Sequence, residues 1–205
     1  MIESSLEPFV AFLKLQKPEE AKKEFTTVTE LDPTYAAAYT AIAGIYREAK
    51  DYKSAIPFYI KAVDNAKDET KKASAKEALR VAYFMLGTTS FSEKKWDVAI
   101  ENLNKSLEIA KNDKALLSLG RAYSEKKQYD LALQSFDASL DSTLAKRTVT
   151  PGSVAYYKAK MYQAKGDSKK ALEQFKLALT DESFKKFAQS EIDAMNAPKD
   201  AKKAK

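Results

Sequence analysis

The chain has 205 residues, 44% apolar and 31% charged, enough of the first to bury a sizeable core and of the second to keep its surface in water. It contains no Cys and no His, which removes disulfides, thiolate nucleophiles and ligands, and the usual imidazole base or zinc ligand together. The net charge is +6, yet taking Lys199, Lys202, Lys203, Lys205 and Asp200 from the 35 basic and 29 acidic residues leaves 31 against 28, too even a balance for a nucleic-acid footprint.

Only five Gly and six Pro interrupt a composition rich in helix formers, and nothing in it suggests a sheet. In chain order, Ser4 and Glu7 make an S-x-x-E capping box that predicts a helix start near Ser4. A degenerate first unit then keeps Phe12, Ala21, Phe25, Val28 and Pro33. Next come Tyr39, Ile42, Ala43 and Tyr46, a turn around Lys50-Asp51-Tyr52, and Ala55, Tyr59 and Ala62. Intervals of three and four within each half mark one face of a helix. About ten residues are added at Thr70 to Leu79, and their helix-forming sequence predicts a lengthened helix rather than a loop.

The spacing returns as Tyr83, Leu86, Gly87 and Ser90 with Ala99, Leu103 and Ser106. It returns again as Leu116, Leu119, Gly120 and Tyr123 with Ala132, Phe136 and Ser139. Arg147 to Pro151 reads as an inserted turn, after which Ala155, Lys158, Ala159 and Tyr162 pair with Ala171, Phe175 and Ala178. The mid-helix Gly87 and Gly120, each costing about 1 kcal/mol relative to Ala, imply close helix contact. Phe184 to Met195 reads as an amphipathic capping helix, and 197–205 as a disordered Lys-rich tail.

Tyr83-x2-Leu86-Gly87 and Leu116-x2-Leu119-Gly120-x2-Tyr123, each followed by Ala-x3-Leu or Ala-x3-Phe, resemble the 34-residue tetratricopeptide repeat. The resemblance implies an all-α, right-handed superhelical solenoid over 2–196: repeats near 2–35, 36–69, 80–112, 113–146 and 152–185, then a cap at 184–195. In this family the first helix of each hairpin lines a concave surface where ligands lie. Carried over by register, that groove offers Thr40, Gly44 and Arg47, then Phe84, Thr88 and Phe91. It continues with Leu117, Arg121 and Ser124, then Tyr156, Lys160 and Gln163. Phe84, Leu117 and Tyr156 form an apolar row, and Arg121 and Lys160 form neighbouring charges whose joint reversal is expected to leave melting nearly unchanged. Co-chaperone members grip a terminal carboxylate with Lys and Asn; Thr40, Gly44, Phe84 and Thr88 stand at those places, so no such clamp is expected.

The implied function is a scaffold or adaptor that binds a peptide or helical segment with apolar and acidic residues. The alternative is a structural subunit, of a bacterial envelope, secretion or pilus assembly for instance, that makes contact through its ends or convex face. No Gly-rich phosphate loop occurs, and Glu19-Glu20 and Asp68-Glu69 sit where helix capping explains them. No enzyme activity, cofactor, metal or nucleic-acid partner is expected, and the oligomeric state is left open. No apolar run reaches the ~18 residues of a membrane span, and Met1-Ile2-Glu3-Ser4 lacks a signal's basic region. The expected location is cytoplasmic, or periplasmic or envelope-bound for a domain trimmed from a longer chain.

Overall fold

Ten α-helices and no strand make up the described residues of the computed structural model, which are 17–197 apart from 142, 145 and 146. They are α1 (Pro18–Leu31), α2 (Ala36–Glu48), α3 (Tyr52–Asn65), α4 (Glu69–Ser92) and α5 (Trp96–Ile109). The rest are α6 (Asp113–Glu125), α7 (Tyr129–Ala138), α8 (Pro151–Ala164), α9 (Ser168–Ala178) and α10 (Glu182–Asn196). The lengthened helix expected at 70–79 belongs to α4, the turn before Pro151 opens α8, and the capping helix is α10. The Ser4–Glu7 capping box, the first half of the leading repeat and nearly all of the Lys-rich tail lie outside the described residues.

The chain divides into two compact units at Leu86 and Gly87, within α4. In the first unit, α1 and the hairpin of α2 and α3 bury Ala21, Phe25, Ala38, Ile42 and Ile45 together. Tyr39, Ala62 and Ala75 join α2 and α3 to the first half of α4. Asp51 caps α3 by accepting the Ser54 N–H at 3.0 Å, one of the donors a helix start leaves without an internal partner.

In the second unit each outer helix drives one large residue inward: Leu103, Phe136 and Phe175 are all 0% exposed. The inner helices make room for them. A Cβ built on Gly87 would stand 2.8 Å from Leu103 Cγ, and one on Gly120 would stand 2.4 Å from Phe136 Cε1. Such distances are well inside the ~3.5–4.0 Å of an ordinary carbon contact, so both positions require glycine.

The hairpin turns share one geometry. Lys50, Lys94 and Lys127 have φ of 59°, 60° and 58°, and Gly166 has 80°, the left-handed conformation that ends a helix. The next N–H in each case returns to the helix, from Lys95 to the Ser90 carbonyl and from Gln128 to the Tyr123 carbonyl at 2.9 Å each. Exposed ion pairs then tie successive hairpins at matching places, Lys126 to Asp97 and Lys165 to Asp130. Pairs this exposed are worth about 0–1 kcal/mol.

The longer connection between α7 and α8 is pinned by Asp113, a buried residue at the start of α6. Its carboxylate accepts the Thr148 and Val149 amide N–H groups, the latter at 2.7 Å, the Thr148 hydroxyl at 3.1 Å and its neighbour Lys114 N–H at 2.8 Å. Burial pushes this carboxyl up, but the amide donors outweigh it and hold it below the ordinary carboxylate value. Thr150 caps α8 and also donates to Asp181, the cap of α10, which its hydroxyl holds low. Gly152 fits there because a Cβ would lie 2.5 Å from that of Asp181.

Candidate functional site

The residues that face one another in the second unit come from the end of α4, from α6 and from α8. Phe91 is set by Trp96, which follows the α4 turn, with ring centroids 5.1 Å apart. Tyr157 stacks on the buried Phe136 at 5.7 Å and meets Tyr156 edge-on at 5.7 Å. Between these two anchored rings stands the Arg121 guanidinium, 4.8 Å from the Phe91 centroid and 5.4 Å from that of Tyr157. Each cation–π contact contributes about 0.5–2 kcal/mol. No carboxylate among the described residues lies within 4.0 Å of this guanidinium.

Two open depressions meet at Arg121. The smaller, about 150 Å³, is lined by Thr88, Phe91, Ser92, Ser118 and Arg121. The larger, about 460 Å³, adds Ser124, Glu125, Lys127, Tyr129, Tyr156, Tyr157, Lys160, Met161 and Ala164 to Phe91 and Arg121.

At the far wall the α10 helix changes the charge pattern. Lys160 Nζ makes an ion pair with Glu191 at 2.9 Å and donates to Gln163 Oε1 at 3.0 Å, while Gln163 donates to the same carboxylate at 3.3 Å. The Lys160 ammonium holds the Glu191 carboxyl below its usual range against the opposing effect of burial. Tyr156 packs into Phe175, Phe184 and Phe187 at 5.9, 5.2 and 6.4 Å, and burial pushes its phenol up.

Of the groove residues expected from register, Thr88, Phe91, Arg121, Ser124, Tyr156 and Lys160 line these two depressions. Gln163 braces Lys160, and half-buried Leu117 packs against the core that holds Phe136 and Met161. Thr40, Arg47 and Phe84 belong to the first unit. There Thr40 borders a separate depression of about 320 Å³ among alanines of α2, α3 and α4, Arg47 pairs with Glu48 at 2.7 Å, and Phe84 is half-buried. One expectation needs correction: Lys160 is not a free neighbour of Arg121 but the partner of Glu191, so reversing its charge would set two carboxylates side by side. Tyr157, Lys127, Glu125 and Glu191 escaped the register argument. The Tyr156-Tyr157 doublet was the available signal, since adjacent rings on a helix point to different neighbours.

Residues 34–112, 115–149 and 10–35 each match a model of the tetratricopeptide repeat. No curated protein matches the chain. Among solved structures, YrrB, described as a tetratricopeptide protein with an unusual peptide-binding site, is 21% identical, with 91% of this chain and 89% of that chain covered and a TM-score of 0.58. A MamA protein is 18% identical over 90% of this chain and 93% of its own, with a TM-score of 0.56. MamA from Desulfovibrio magneticus RS-1 is 15% identical over 96% and 97%, with a TM-score of 0.52. At these identities the likeness shows the fold alone. Repeat spacing, glycine-spaced hairpins, family models and fold agree: this chain belongs to the tetratricopeptide-repeat family.

Proposed function

We propose that the chain is a protein-interaction scaffold whose second unit takes a peptide or helical segment with apolar and acidic residues in the depressions around Arg121. A tetratricopeptide array supports protein–protein interaction in general. The observation that carries the finer reading is Arg121 itself, a permanent cation fixed between two aromatic rings with no carboxylate partner among the described residues. Tyr156 and Met161 supply apolar surface beside it. YrrB, described as having a peptide-binding site, shares the fold, which favours a peptide ligand here too. Among the described residues no helix is long and apolar enough to cross a membrane.

The test is selection from a displayed random-peptide library on the wild-type chain and on Arg121→Gln, which keeps much of the side-chain stem between the rings. Wild type should enrich peptides that place Asp or Glu beside apolar residues, and the variant should lose them while staying helical, with melting lowered by about 2–8 °C as the loss of two half-exposed cation–π contacts of about 0.5–1 kcal/mol each implies. Equal enrichment on both would refute the reading. A second reading, a subunit that assembles through its outer helices, is favoured by Val98 and Leu131, which are 41% and 43% exposed at matching positions on α5 and α7. Light scattering across concentration separates the two, since a defined oligomer lost in Val98→Glu would support the second.

A further inference from the structure

We infer that Arg121 reads one side-chain carboxylate within a segment that runs across it, and that the site rejects a phosphorylated residue at that place; the inference rests on the groove reading above. The Phe91 and Tyr157 rings, 4.8 and 5.4 Å from the guanidinium carbon, attract the cation without taking up its hydrogen bonds, so what Arg121 can offer a ligand is its N–H groups. Two N–H groups side by side in one plane match the two oxygens of a planar carboxylate. The depressions of about 150 and 460 Å³ are distinct but share Phe91 and Arg121 in their linings. A segment passing through fills both, whereas a chain that ended in its terminal carboxylate at Arg121 would fill one.

Charge sets the class of anion. Glu125 and Lys127 both line the larger depression and offset each other, and Lys160 is already neutralised by Glu191. That leaves a surplus of one positive charge, which a single carboxylate balances. A phosphate carries about −1.5 to −2 at neutral pH and would face Glu125 with its excess charge.

The experiment uses four acetylated peptides with one apolar frame, Ala-Leu-Phe-X-Phe-Leu-Ala, titrated by fluorescence anisotropy against the full chain. Three are amidated with X as glutamate, glutamine or phosphoserine, and the fourth is cut to end in a free carboxylate at a glutamine X. The glutamate peptide should bind about 10- to 100-fold tighter than the glutamine peptide, the range expected for charged hydrogen bonds, with the other two no tighter than glutamine. Arg121→Lys keeps the charge but removes the fork, and should erase most of that preference at unchanged melting temperature. Phe91→Leu, which removes one of the two rings that hold the guanidinium, should weaken it too and serves if the lysine variant does not fold. Phosphoserine or the free terminus matching glutamate overturns the inference, as does a full preference surviving in Arg121→Lys. Equal binding of all four overturns it along with the acidic preference and keeps only a peptide groove of apolar character, and binding of none overturns both.

Discussion

The same substitution, Gly to Ala in mid-helix, should have opposite signs at two positions of this chain. On propensity alone each replacement favours the helix by about 1 kcal/mol. At Gly120 the new Cβ would stand 2.4 and 2.5 Å from two ring carbons of Phe136 and 3.1 Å from the Ala132 carbonyl oxygen. The overlap with the ring is about 1 Å against an ordinary carbon contact, and Phe136 is 0% exposed, so it has no open space to retreat into. Overpacking of this kind costs about 1–3 kcal/mol, and an overlap this large belongs at the upper end. The net loss is therefore about 2 kcal/mol, or roughly 4–8 °C in melting temperature for a chain of this size. At Gly44 nothing among the described residues lies within 4 Å of the added Cβ, so Gly44→Ala should raise the melting temperature by about 2–4 °C. Thermal and urea unfolding followed by circular dichroism gives both numbers. Because Phe136 carries Tyr157, which flanks Arg121, Gly120→Ala should also weaken any ligand of that site. A Gly120→Ala chain as stable as wild type would refute the packing argument, whatever Gly44→Ala did.

Asp113→Asn should destabilise by about 1–3 kcal/mol at neutral pH, since one carboxylate oxygen accepts the 148–149 amides and the other the Lys114 N–H, so the new NH2 must face a donor at one of them. The folded carboxyl lies below its unfolded value, so its stabilisation is present above the unfolded pKa near ~3.9 and is lost as pH falls through the folded one. The wild-type advantage over the variant, measured by urea unfolding, should therefore shrink on that acidic side and stay flat from about pH 6 to 8. Lys160→Glu should lower stability by about 1–2 kcal/mol by losing the hydrogen-bonded charge pair with Glu191, and more salt should soften the loss. Lys94→Gly should be neutral or stabilising by up to about 1 kcal/mol, because φ is 60° there and glycine adopts it without a Cβ penalty; a clear loss in melting temperature would count against strain at that turn.

The repeat was legible because its template residues are set by packing between neighbours in sequence. Gly87 and Gly120 could be read as contact points from the mid-helix cost alone, and Leu103 and Phe136 are what they touch. The lengthened α4 was legible from composition, because Thr70 to Leu79 holds no breaker. The tie at Asp113 was not. It reaches Thr148 and Val149, 35 and 36 residues on, across an insertion with no periodicity to carry a register. The left-handed Lys50, Lys94 and Lys127 were equally hidden, since lysine carries no sign of the conformation and only Gly166 shows the residue it favours.

Arg121 and Lys160 show where register stops being informative. Both stand at the same place on consecutive inner helices, and sequence alone makes them equal cations. Their neighbours make them different. Arg121 meets two aromatic rings, whose quadrupoles attract the cation without neutralising it. Lys160 meets Glu191, whose position depends on how α10 packs against α8 and α9, a tertiary relation with no local signature. A row of equivalent side chains in a repeat array therefore does not make a row of equivalent sites. On the proposed groove reading, the charge left for a partner is the one that the end of the array does not reach, and in the second unit that charge belongs to Arg121.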